Sequence, residues 1–255
     1  MATIDMTNID MTTIDSRVIP DPWLATTVVV PADRCGPPGI GNGGWVSGTL
    51  AGHLGAGPVE VTLRAPTPLD TPLDLRAADD DATLSLGDRL LVSARRSPGP
   101  VTAPAPVDWD AAVAAEAGFA GHTDHPFPGC FVCGTGRSVG DGVRIFPGPV
   151  PGAGGRVAAV FTPRPAHAGP HGRLPAAAVW ASLDCPTAWA HLAPGEVALL
   201  GRLRAEVRGD LHPGRPYLVV AEAAGRDGRK AFGRAGIYER DGRLLAAAEA
   251  IWIAR

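Results

Sequence analysis

The sequence predicts an α+β protein in which one unit, a strand, a helix and several antiparallel strands, occurs twice. Three observations predict it. A chain of 255 residues fits either one large domain or two of about 120–130 residues each. Its 33 glycines and 26 prolines exclude a protein of long helices and demand frequent turns. The order strand, apolar helix, strands runs through residues 24–94 and returns through residues 142–253. With 45% hydrophobic and 19% charged residues, the chain has enough apolar surface to bury a core.

Within residues 1–21, the first fifteen repeat a Met-Thr-x-Ile-Asp unit about three times with a period of five. No solenoid or coiled coil has that period, so a disordered tail is expected. A first unit is expected over residues 22–96. Residues 24–30 are β-branched and strand-like, and residues 31–41 form a loop by their Pro and Gly content. Asn42 stands as an N-cap before a small-residue helix over residues 43–54, with apolar residues at Val46, Leu50 and Leu54. Strands follow at 59–64, where Val59, Val61 and Leu63 alternate with polar residues, at 73–77, and at 83–94 with an internal Gly87-Asp88 turn.

Residues 97–129 read as a connector rich in Pro and Ala, with a short helix over 108–117. The second unit, 130–255, has strands at 142–146 and 156–161 and a helix at 174–192 with Pro175 in its first turn. Strands at 197–207, 217–223, 230–238 and 244–253 complete it, the last two joined by an Arg240-Asp241-Gly242 turn. A helix apolar on nearly every face has to be enclosed, so each sheet is expected to wrap around its helix.

Charge and composition remove several classes of function. Net charge is −3, and all but one of the 23 basic residues are arginine, the exception being Lys230; that bias is a property of the gene. Without a basic block, a nucleic-acid partner is not expected. No apolar run reaches the ~18–20 residues of a membrane span. The acidic, polar N-terminus has no apolar signal segment, so a cytoplasmic location is expected. Four cysteines are too few for a disulfide scaffold.

Cys130 and Cys133 follow His122 and His125, four ligand-type residues within a short stretch. Zinc sites draw their ligands from two separated segments, and Pro126 and Pro128 limit how this one folds back. A packed approach to a strand is the expectation, with no metal and no cofactor.

Several motifs resemble the hotdog superfamily of acyl-CoA thioesterases over about residues 22–255. Cys130-Phe-Val-Cys-Gly134 followed by Gly142-Val-Arg-Ile145 is similar to the approach to the first strand in phenylacetate-type thioesterases. Val179-Trp-Ala-Ser-Leu-Asp184 is similar to the helix of those enzymes that ends in the catalytic Asp. The stretch from Asp227-Gly-Arg-Lys230 through Ile237-Tyr238 to Ile251-Trp-Ile253 resembles the last strands of thioesterase II, a double hotdog. Gly41-Asn-Gly-Gly-Trp-Val-Ser-Gly48 resembles the segment opening its first helix. The resemblance implies a tandem hotdog that hydrolyses a CoA-linked acyl thioester, and a homodimer of double hotdogs is the assembly expected.

Thioester hydrolysis needs N–H donors for the carbonyl oxygen and a carboxylate to activate water or attack directly. The resemblance assigns the donors to the backbone of Gly44 and Trp45, and the carboxylate to Asp184. Asn42 and Gly43 would lie against the substrate, and Arg226, Arg229 and Lys230 would meet coenzyme A phosphates. The blander reading of Asp184 is a residue that ends its helix at Cys185-Pro186. Aligning the two helices by motif puts Ala51 opposite Asp184, so one site per chain is expected, with His53 outside it. The chain departs from the family at His171-Gly-Arg-Leu174, where His-Gly-Gly is usual, and the Thr and Gln that accompany the Asp have no match; Thr187, Glu249 and His191 are the candidate substitutes. Two alternatives stay open: a non-catalytic acyl-ligand binder and a hotdog dehydratase or hydratase.

Overall fold

The computed structural model of the protein describes residues 24–193 and 195–255, and the expected tail over residues 1–21 lies outside the described residues. The first half of the chain contributes β1 (Leu24–Val29), α1 (Gly43–Ala51), β2 (Val59–Leu63), β3 (Pro72–Ala77), β4 (Asp81–Leu86) and β5 (Arg89–Arg96). Helix α2 (Trp109–Ala115) follows. The second half contributes β6 (Gly148–Pro149), β7 (Arg156–Phe161), α3 (Ala176–Trp189), β8 (Ala198–Val207), β9 (Tyr217–Asp227), β10 (Lys230–Tyr238) and β11 (Leu244–Ala254).

All the strands join one antiparallel sheet in the order β1-β3-β4-β5-β2-β8-β11-β10-β9-β7-β6. On each side of the β2–β8 seam the same order repeats: the strand before the helix lies at the outside, and the strand after it lies at the seam. The seam itself pairs Val59 with Ala205 and Val61 with Leu203. The period of two explains which residues face inward: in β3, Leu73, Leu75 and Ala77 are buried and their neighbours exposed.

Both longer helices pack against this sheet and against each other. Helix α1 opens with Asn42, whose side chain accepts the N–H of Trp45, as its N-cap role requires. Three glycines make α1 a poor helix former on propensity, costing about 1 kcal/mol each relative to Ala, so burial of Val46, Ser47, Leu50 and Ala51 must hold it. The glycines permit close approach. A Cβ on Gly44 would lie 2.7 Å from Ala181 Cα, and one on Gly48 would lie 2.6 Å from Ala177 Cα, so the two helix backbones touch. Helix α3 is buried from Ala177 to Ala188.

One expected feature differs. Residues 142–146 are not a strand. Arg144 takes a left-handed φ of 59°, which breaks an extended run, and the segment is held instead by the N–H of Val143 donating to Phe131 and that of Ile145 to Val132. The blander reading of Asp184, as a residue that ends its helix at Cys185-Pro186, does not hold, because α3 continues through Pro186 to Trp189, inside the expected 174–192. The connector is more than a tether: α2, capped by Asp108, sits on the opposite face of the sheet, where Ala112 joins Ala158, Leu218, Val220 and Tyr238 in a second apolar cluster. Among the described residues, no helix is long and apolar enough to cross a membrane.

Candidate active site

The head of α1 meets the second half of α3 at Asp184. This carboxyl group is 1% exposed. Its Oδ2 accepts the N–H of Gly44 at 2.8 Å and the side-chain amide of Asn42 at 3.0 Å. Among the described residues, no partner reaches Oδ1. Burying a carboxylate with one oxygen unpaired is costly, and burial pushes the pKa of Asp184 up to about 7, against the opposing pull of the Gly44 N–H and the Asn42 amide.

Asn42 therefore has two tasks. Its Oδ1 caps α1 through Trp45 at 2.9 Å, and its amide fixes Asp184. The N–H of Trp45, expected to be a free oxyanion donor, is occupied by that cap. Its ring packs edge-on against Phe131 and under the Arg34 guanidinium instead. Thr187 does not face Asp184's carboxyl group: its hydroxyl donates to the Asp184 backbone carbonyl at 2.6 Å and accepts from Trp252 Nε1 at 2.8 Å, tying α3 to β11.

Asp184 lines a cavity of about 280 Å³ that Asn42 and Gly43 also line, with Ile40, Leu63, Trp189, Leu200 and Trp252 among its apolar walls. Arg64 and Arg255 line it as well, and both are exposed. Arg226, Arg229 and Lys230 are not among the lining residues. They belong to the β9–β10 hairpin, where Arg226 is held by Glu196 at 2.6 Å, while the Arg229 carbonyl accepts the N–H of Ala254, next to Arg255. Of the candidate substitutes for the missing Thr and Gln, Glu249 pairs with Arg204 and Thr102 away from the cavity, and among the described residues neither ring nitrogen of His191 has a partner. His53 and His171 are exposed.

Sequence reasoning missed a third group at this site. Cys130, Cys133 and Cys185 converge beside Asp184, with all three sulfurs buried and within 4.8 Å of one another. The neighbouring thiols of Cys133 and Cys185 hold the pKa of Cys130 well below the usual thiol value, against the effect of burial. Burial pushes that of Cys133 up, and hydrogen bonding to the other thiols does so for Cys185. Cys185 is 55 residues from Cys130, so only the docking of α3 brings them together.

A continuous antiparallel sheet carrying two mutually packed helices, with a ligand-sized cavity at their junction, defines a hotdog-fold protein. Comparison with solved structures agrees. The chain is similar to a TesB protein from Mycobacterium avium subspecies paratuberculosis, with a TM-score of 0.59 and 14% identity over 92% of this chain and 94% of that one. It is also similar to the acyl-CoA thioesterase II TesB2 from Mycobacterium marinum, with a TM-score of 0.52 and 13% identity over 91% and 93%. A conserved protein of unknown function with a hot dog fold from Alicyclobacillus acidocaldarius matches with a TM-score of 0.53 and 13% identity over 95% of both chains. No protein-family description matches the sequence, and no curated protein does. Likeness at these identities establishes the hotdog fold.

Proposed function

We propose that this protein is a double hotdog, each half wrapping one helix, and that it hydrolyses a CoA-linked or related acyl thioester at one composite site between the halves. The observation that carries the reading is Asp184: a fully buried carboxyl group with an orphaned oxygen, fixed by the head of the other half's helix and opening on an apolar cavity. Such groups cluster at functional sites. The motif alignment of the two helices puts Ala51, which has no carboxylate, opposite Asp184.

In this reading Asp184 takes a proton from water as the hydroxyl adds to the thioester carbon. The carbonyl oxygen accepts the Gly44 N–H in exchange for Asp184 Oδ2, at the positive end of α1. Asn42 keeps the carboxyl group in place. The C–S bond then breaks, the thiol takes up the proton held by Asp184, and the products are a carboxylic acid and a free thiol. Trp45 and Thr187 act as positioning residues. Exposed Arg64 and Arg255 at the cavity are better placed than the β9–β10 hairpin to meet coenzyme A phosphates.

A panel of acyl-CoAs assayed for thiol release, with Asp184→Ala as the control, tests this. Turnover abolished in the variant with the fold intact supports it; turnover retained in the variant overturns it. Binding of acyl-CoA without hydrolysis by the wild-type chain would select the non-catalytic binder, which the engagement of Thr187 away from the cavity favours.

A further inference from the structure

We infer that Cys130, Cys133 and Cys185 form a buried three-thiolate site for zinc. The inference does not rest on the thioesterase reading. Tetrahedral zinc with Zn–S bonds of ~2.3 Å holds its sulfurs ~3.8 Å apart. Here Cys130 Sγ and Cys185 Sγ lie 3.7 Å apart, and the third sulfur lies within 4.8 Å of both. All three thiols are free, and the spacing is far beyond the ~2.05 Å of a disulfide.

The backbone is built for this convergence. Cys130 and Cys133 lie on a tight turn closed by the Gly134 N–H donating to the Cys130 carbonyl at 2.9 Å. A Cβ on Gly134 would strike the backbone of Cys130, so the turn requires glycine. Cys185 comes from α3, supplying the second, separated segment that the sequence lacked. His125 is excluded as a ligand, because its Nε2 faces the Cys133 carbonyl and its Nδ1 accepts the Phe127 N–H.

The three cysteines also line the cavity. Three protein ligands and one position open to a cavity is an arrangement zinc accepts, with a water molecule as the fourth ligand. Binding exchanges three thiol protons for one Zn²⁺, with no oxidation or reduction.

The test uses the full chain, kept reduced, incubated with zinc and desalted before metal analysis, with a parallel sample loaded with Co²⁺. The inference expects about one zinc per chain and a thiolate-to-cobalt charge-transfer band. Both should be lost in Cys185→Ser and Cys130→Ser and kept in Cys35→Ser, whose thiol instead contacts the Gly129 carbonyl. Less than about 0.1 zinc per wild-type chain, or a cobalt spectrum without thiolate bands, would overturn it. So would zinc retained in Cys185→Ser. The wild-type cobalt spectrum decides even if a variant fails to fold.

Discussion

Replacing Gly48 by alanine puts a methyl group where α1 crosses α3. A Cβ there lies 2.6 Å from Ala177 Cα, 2.7 Å from the Ala176 carbonyl oxygen and 2.7 Å from Trp180 Cβ. Carbon atoms pack comfortably at ~3.5–4.0 Å, so the helices must separate by about 1 Å. Two of the three obstructing atoms are main chain, so no rotamer change relieves the clash. Overpacking of this kind costs ~1–3 kcal/mol, and alanine returns ~1 kcal/mol of helix propensity. Because the obstruction is backbone, we place the net loss at about 2 kcal/mol, a fall in Tm of roughly 4–8 °C for a chain of this size. Gly52→Ala is the control: its φ is −59°, and its Cβ would lie 3.3 Å from the Gly48 carbonyl oxygen of its own helix and 3.7 Å from the Cβ of Ala176 across the helix contact, so α3 is not pushed away. Urea and thermal unfolding of both variants measure the difference. If Gly48→Ala proves as stable as Gly52→Ala, the backbone contact between the helices is wrong, and with it the placement of Asp184 against Gly44.

Three further outcomes follow from the same contacts. Asn42→Ala removes the α1 cap and should cost ~1–2 kcal/mol in denaturant midpoint, while also releasing Asp184; in the proposed enzyme, kcat should fall more than KM rises. Thr187→Val leaves Trp252 Nε1 without its acceptor and should destabilise by ~1–3 kcal/mol; a neutral result would remove Thr187 from the tie between α3 and β11. His191 is held neutral, its pKa lowered to about 4 by burial and by Arg226, against the pull of Glu196. A histidine with its folded pKa below the unfolded value contributes full stability above about pH 6.5 and loses it as pH falls toward 4. Discounted for partial exposure, the loss is roughly 1–2 kcal/mol. Unfolding of His191→Gln measured from pH 7 to 4.5 should show a shallower acid slope than wild type.

Local chemistry made much of this fold legible in the sequence. Alternation marked β3 through Leu73 and Leu75, and Asn42 before a glycine pair marked the start of α1, since both signals act between near neighbours. The segment 142–146 misled because its composition is strand-like while Arg144 adopts a left-handed conformation that composition does not report. Long-range docking was beyond reach for a similar reason. That Asn42 would hold Asp184, 142 residues away, or that Cys185 would join Cys130 and Cys133, depends on how two helices cross. Motif resemblance pointed to Asp184, which lies buried in an apolar helix, yet assigned Trp45 a free N–H that the cap consumes. It also looked for phosphate contacts in the β9–β10 hairpin, whereas the arginines lining the cavity are Arg64, on the chain just after β2, and Arg255, at the C-terminus.

The most direct test of the central claim is the rate of thiol release from an acyl-CoA panel by Asp184→Asn, which keeps the shape of the side chain and removes its ability to take a proton. Turnover should fall by at least ~100-fold, the scale on which a positioned acid–base group acts, with the far-ultraviolet spectrum and thermal midpoint close to wild type. Turnover within a few-fold of wild type would contradict it.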